Sequence, residues 1–159
     1  MSTYILDTGI VLGYVHGAGY AEYVERHFSV FLPPNVAVIS VVTIGEIYSL
    51  SLQLGWGEAK RDKLKDVLSK IPSIDISHQQ IIEKYAEIDA YSQGKHPSLR
   101  LPQGVSSRNM GKNDIWIAAT GAVLKGVLLT TDQDFDHLCS VFLKVEYIDQ
   151  SLKGTDARV

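Results

Sequence analysis

Short apolar runs alternate with helix-spaced stretches along the whole chain. Thr3-Tyr4-Ile5-Leu6 is a β-type run stopped by Asp7-Thr8-Gly9. Ile10, Val11, Leu12, Tyr14 and Val15 predict a short helix, which Gly17 and Gly19 break. Helical spacing resumes from Tyr20 to Phe28, with Tyr20, Val24 and Phe28 on one face. Pro33-Pro34 is a turn. Val36-Ala37-Val38-Ile39 is apolar without alternation, which marks a strand buried on both faces. Ser40 caps a predicted helix from Val41 to about Leu54, ended by Gly55 and Gly57. Glu58 to Ile71 alternates charge with Leu64, Val67, Leu68 and Ile71, an amphipathic surface helix ended by Pro72.

Ile74-Asp75-Ile76 predicts a short strand, and Ser77 caps a helix to about Gln93 that Gly94 closes. A helix opening at Asp114 runs to Lys125, where Gly126 ends it. Val127-Leu128-Leu129 is another buried-type strand, and Phe142 to Ile148 gives the last one. Gln150 to Val159 is polar and predicted to fray. Strands alternating with helices imply an α/β fold with a parallel sheet covered on both faces. The expected organisation is one domain over residues 1–149 with a polar tail at 150–159.

Composition changes this picture little. A formal net charge of −3 argues against a protein basic all over its surface. The single Cys139 permits no internal disulfide, which fits a reducing compartment, and its apolar context suggests a buried, inert thiol. No signal peptide is visible, and the most apolar stretch, Ile115 to Leu129, is interrupted by Thr120, Gly121, Lys125 and Gly126. The expectation is a cytoplasmic protein with no membrane partner.

The informative charges are a few acids in apolar surroundings. Asp7 and Asp132 stand just past strand ends, where ligands of open parallel sheets bind. Glu46 is the only acid between Arg26 and Glu58. Asp114 is the last charge before Lys125, and its helix feeds a strand, so the helix start can lie at the same end of the sheet. Each acid also has a structural reading. Asp7 and Asp114 suit helix caps, Thr43-Ile44-Gly45-Glu46 fits a capping box, and Asp132, Asp134 or Asp136 can serve a turn. Two carboxylates about 5 Å apart repel by roughly 3 kcal/mol at an effective dielectric near 20. Four such groups must take up protons or bind cations. An all-oxygen donor set favours Mg²⁺ or Mn²⁺, and the five histidines show no zinc-type pairing.

Lys95 to Asn113 is irregular and holds Lys95, Arg100, Arg108 and Lys112 without one acid. Arg100, Arg108 and Lys112 are candidate phosphate contacts, the alternative being a plain solvated loop. Trp116 is a candidate base-stacking residue, although its helix neighbours favour core packing.

Four segments together resemble the PIN-domain nucleases, and most of all the VapC-type toxins of toxin–antitoxin pairs. They are Ile-Leu-Asp7-Thr, Val-Val-Thr-Ile-Gly-Glu46-Ile, Asn-Asp114-Ile-Trp-Ile-Ala-Ala-Thr and Leu-Leu-Thr-Thr-Asp132-Gln-Asp-Phe. The resemblance covers about residues 3–149. It implies a three-layer α/β/α sandwich and Mg²⁺- or Mn²⁺-dependent endoribonuclease activity, often on structured RNA such as tRNA. It also implies an antitoxin partner and a homodimer. Asp7, Glu46 and Asp114 match the family's central acids, Asp132 the more variable fourth with Asp134 as the alternative, and Thr130 a hydroxyl residue near them. Gly9 departs from the pattern, since the family commonly has Ser or Asn there. A catalytically silent PIN-like protein-binding module is the leading alternative, with Tyr20–Phe28 and Ile44–Leu54 as a possible groove. A phospho-receiver domain is a weaker one, because Asp7 is followed by Thr8-Gly9 rather than a second acid. A P-loop is excluded by the absence of its motif.

Overall fold

In the computed structural model, which describes residues 1–159, five strands form one parallel sheet in the order β3-β2-β1-β4-β5. They are β1 (Thr3–Leu6), β2 (Val36–Ser40), β3 (Ser73–Ile74), β4 (Val127–Thr130) and β5 (Lys144–Tyr147). Helices α1 (Thr8–His16), α2 (Gly19–Phe28), α3 (Val41–Gln53), α4 (Glu58–Ser69), α5 (Gln79–Ser92) and α6 (Lys112–Val123) complete the chain, with a short 3₁₀ segment at Gln133–Leu138.

Successive residues of the central strands enter opposite cores, as the period of a strand requires. Leu6, Ile39 and Leu129 join Val11, Val24, Ile47 and Leu64 beneath α1–α4. Ile5, Val38 and Leu128 join Ile88, Ile115, Ala118 and Phe135 beneath α5 and α6. Both faces of the sheet are therefore covered, which is why β1, β2 and β4 read as continuous apolar runs. This is the α/β/α sandwich expected. No helix is long and apolar enough to cross a membrane.

Strand order fixes where the site can lie. From β1 the chain steps outward to β2 and β3, then returns to the other side of β1 as β4. The order reverses between β1 and β4, and that switch point opens a crevice at their carboxyl ends. The Asp7 amide donates to the Leu129 carbonyl at 3.0 Å, so β1 and β4 are joined right up to that crevice.

Several boundaries differ from the sequence reading. β3 is only Ser73–Ile74, and His78 rather than Ser77 caps α5, with Nδ1 accepting from the Gln80 amide. Helix α6 begins at Lys112, capped by Gly111, so Asp114 lies inside the first turn and is not the cap. Cys139 is half-buried, not fully enclosed. The polar tail makes several contacts with α2. Arg26 Nη1 donates to the Gly154 carbonyl at 3.0 Å, His27 Nε2 lies 2.8 Å from the Asp156 carbonyl, and the Val159 amide donates to Tyr23 Oη at 3.2 Å. Residues 152–159 thus run along the outer side of α2, with Arg158 over the Phe28 ring.

Candidate active site

One chain of hydrogen bonds lines the crevice. Asp7 caps α1 through Oδ1, which accepts from the Thr8 amide at 2.7 Å. Its Oδ2 accepts from the Thr130 hydroxyl at 2.6 Å. Thr130 Oγ1 in turn accepts from the Asp132 amide at 3.0 Å, and Asp132 Oδ1 accepts from the Asp134 amide at 2.8 Å. Asp7 and Asp132 therefore do serve as caps. They are also fixed to each other through Thr130, which is wholly buried.

The capping reading fails for the other two acids. Ser40 caps α3 through the Val42 amide, so Glu46 is not part of a capping box. Glu46 instead accepts a hydrogen bond from the Thr8 hydroxyl, one residue beyond Asp7. Asp114 projects from the first turn of α6 with its carboxylate beside Gly111, where a Cβ would lie 2.9 Å from Oδ2. Glycine at 111 leaves that carboxylate room, a requirement that the sequence reading did not foresee.

Electrostatics tie these positions together. Burial first, then repulsion from Asp7, Glu46, Asp132 and Asp134, pushes the Asp114 carboxyl up to about 7. Burial also raises Asp7 to about 6, although the bonds from Thr130 and Thr8 pull it down, and Glu46 and Asp132 add repulsion. The acids thus share one field. They do not yet form one coordination sphere, because no three Asp, Glu, His or Cys side chains are close enough to hold an ion. Glu46 and Asp7 are turned toward Thr8 and Thr130.

The basic candidates separate. Arg108 and Asp134 line the same open cavity of about 340 Å³, together with Ser106, Ser107, Asn109 and Met110. Lys112 is exposed and pairs with Asp89 at 3.3 Å. Arg100 is exposed in the loop, and no hydrogen bond or ion pair links it to the acids. Trp116 is half-buried against Tyr85, ring centroids 4.2 Å apart, so it packs in the α5–α6 layer.

A buried clasp also escaped the sequence reading. Ser92 Oγ lies 2.8 Å from His137 Nε2 and 3.3 Å from Met110 Sδ, while the Ser92 carbonyl accepts from the Arg108 amide at 2.7 Å. Three distant segments meet there: the end of α5, the basic loop and the 3₁₀ segment after Asp132. Burial lowers the His137 pKa, with the Arg108 charge adding to that. No local pattern announces a contact between residues 45 positions apart.

Comparison with known proteins accords with this geometry. The sequence matches the PIN domain over residues 4–141. No curated protein matches it. A chain of the VapBC2 complex from Rickettsia felis, bound to a DNA fragment from their promoter, superposes with a TM-score of 0.73 at 20% identity, covering 92% of this chain and 99% of that one. A chain of FitAB bound to an IR36 DNA fragment gives 0.66 at 18% identity, covering 96% and 99%. A chain of VapBC-1 from nontypeable Haemophilus influenzae gives 0.65 at 22% identity, covering 91% and 97%. At such identities the likeness is one of fold. The match over residues 4–141 goes further, and by it this chain belongs to the PIN-domain family.

Proposed function

We propose that the protein is an endoribonuclease that hydrolyses RNA phosphodiester bonds with a divalent cation, Mg²⁺ or Mn²⁺, and that it is the toxin of a toxin–antitoxin pair. Asp7, Glu46, Asp114 and Asp132 would hold the cation, with Asp134 as the alternative fourth ligand. The observation that carries this reading is Asp114. Its carboxyl has a pKa near 7 because it is half-buried among other acids. Neither a cap nor an ion pair accounts for that placement. A site that holds protons in the absence of cations, and offers only carboxylate oxygens, suits a hard divalent ion.

When bound, the ion supplies a water of lowered pKa and positive charge opposite the phosphate. The residues of the chain do the rest. Asp7 is held rigid by Thr130 and the Thr8 amide, and Thr8 orients Glu46. Thr130 is wholly buried and donates to Asp7, which supports a positioning role for it rather than a direct contact with substrate. Arg108 is the basic side chain best placed for a phosphate of the RNA strand, since it shares a cavity with Asp134.

The toxin assignment is supported by the fold likeness to chains of VapBC and FitAB complexes and by an exposed apolar strip on α3. Val41, Tyr48 and Leu52 share one side of that helix at spacings of seven and four, and Leu54 follows. An antitoxin segment or a second copy of the chain would cover it. The separation of the acids beyond ion-holding distance favours the silent-module reading. The decisive experiment is cleavage of total tRNA by purified protein with Mg²⁺, Mn²⁺ or EDTA, beside Asp114→Asn. Metal-dependent cleavage lost in the variant is expected. A folded protein that cleaves nothing and binds no metal would overturn the nuclease reading in favour of the module.

A further inference from the structure

Three threonine hydroxyls line the crevice, and two are committed. Thr8 donates to Glu46 and Thr130 donates to Asp7. The Thr131 hydroxyl takes no part in the bonds that join Asp7, Thr130, Asp132 and Asp134. It lies instead directly over Gly9, in the first turn of α1. A Cβ on residue 9 would collide with Thr131 Oγ1 and approach the Thr131 Cβ to 3.3 Å. The backbone at Gly9 is itself anchored, because Tyr20 Oη donates to the Gly9 carbonyl at 2.8 Å. The Tyr20 ring occupies the space a side chain at Gly13 would need. The Gly9 side of the contact is held by Tyr20, so a side chain at position 9 would have to displace the Thr131 hydroxyl.

We propose that Thr131 is a substrate-contacting residue whose hydroxyl donates to a non-bridging phosphate oxygen of the RNA, and that glycine at position 9 exists to seat it. This rests on the nuclease reading above. A phosphodiester oxygen accepts hydrogen bonds and carries negative charge. Most of the crevice offers it only carboxylates, which repel it. A neutral donor beside Asp7 and Asp132 can meet that oxygen without repulsion, and Thr131 is half-buried, so its hydroxyl is within reach of a ligand. A side chain at position 9 and the Thr131 hydroxyl compete for one space. A side chain can stand in that space from α1 or from the loop after β4, but not from both.

The test uses purified full-length protein, total tRNA for cleavage and a fluorescein-labelled mixed-sequence oligoribonucleotide for binding. Four variants are compared with the natural chain: Thr131→Ser, Thr131→Val, Gly9→Ser, and Gly9→Ser with Thr131→Ala. Losing one hydrogen bond to a charged oxygen should lower kcat/KM by about tenfold in Thr131→Val, which keeps the side-chain shape. Thr131→Ser should stay within about threefold of the natural protein, since it keeps the hydroxyl. Gly9→Ser alone should lower the melting temperature through the collision. The double variant should regain most of the cleavage and part of the stability, since the 3.3 Å approach of the two Cβ atoms remains, and that transfer of activity is something a purely structural role would not give. Natural-level cleavage in Thr131→Val would overturn the proposal and leave the nuclease reading standing. So would a stable double variant no better than Thr131→Val. A natural protein that neither cleaves tRNA nor binds the labelled RNA would overturn both.

Discussion

Asp7 and Asp114 face the same crevice and both hold their protons to unusually high pH, yet they are held in opposite ways. Asp7 is built into the sheet. It is almost fully buried, its amide extends the β1–β4 pairing, and both carboxylate oxygens accept hydrogen bonds. Asp114 stands on the first turn of a helix capped by a glycine, half-exposed, and only burial and like charges act on its pKa. Bonds to the ionised form partly offset the burial of Asp7, whereas nothing within the chain offsets the repulsion at Asp114. One acid is a fixed part of the scaffold, and the other is a charge that only a proton or a cation can relieve.

Catalysis should not distinguish the two, and stability should. Replacing either by Ala is expected to lower metal-dependent tRNA cleavage by at least about 10²–10³-fold, measured as kcat/KM at saturating Mn²⁺. In the metal-free protein at pH 8 the same pair should diverge. Asp7→Ala removes an N-cap and leaves the buried Thr130 hydroxyl without its acceptor, which costs about 2 kcal/mol or more. Asp114→Ala removes a repelled charge and should leave the melting temperature unchanged or higher. Equal losses of stability in both variants, by thermal or denaturant unfolding, would erase the contrast.

The next largest effect is on pH dependence. Both carboxyls have folded pKa values above their unfolded value near 3.8. Between that value and about 7 the folded chain therefore binds more protons than the unfolded one, so these groups make stability fall as pH rises. The loss is complete once pH passes the Asp114 value of about 7. Metal-free protein should melt at a higher temperature at pH 5 than at pH 8, and Asp114→Asn should flatten the upper part of that slope. Comparing the two proteins cancels the contribution of the remaining acids. An identical slope in both would show that Asp114 is not under the repulsion described.

Smaller effects probe the ground beyond the two acids. Ser92→Ala leaves His137 Nε2 without its partner in a buried site, and should cost about 1–3 kcal/mol. It should also speed hydrogen exchange at the Arg108 amide, which the end of α5 holds. Lys112→Ala breaks only an exposed pair with Asp89 and should change stability by less than about 1 kcal/mol.

The contrast also explains what could be read from the sequence. The sheet was legible because its central strands are buried on both faces and so carry unbroken apolar runs. The places of Asp7 and Asp132 were legible because an acid one or two residues past a strand end has its position fixed by the strand. Asp114 was legible as a candidate but placed two residues early in its helix. Its cap is Gly111, a residue without a side-chain signature. Glu46 could not be separated from a capping box, because the choice depends on a hydroxyl 38 residues away. The contacts of the tail with α2 were not legible for a related reason: Arg26 and His27 meet backbone carbonyls of Gly154 and Asp156, which every sequence has.

The most direct test of the shared acid site is calorimetric titration of Mn²⁺ into metal-free protein near pH 7, in two buffers of different ionisation enthalpy. The account predicts binding with release of protons, because a cation must displace the proton that Asp114 partly holds at that pH, with a smaller share from Asp7. It predicts weaker binding and less proton release in Asp114→Asn. Binding without proton release, or binding that Asp114→Asn leaves unchanged, would contradict it.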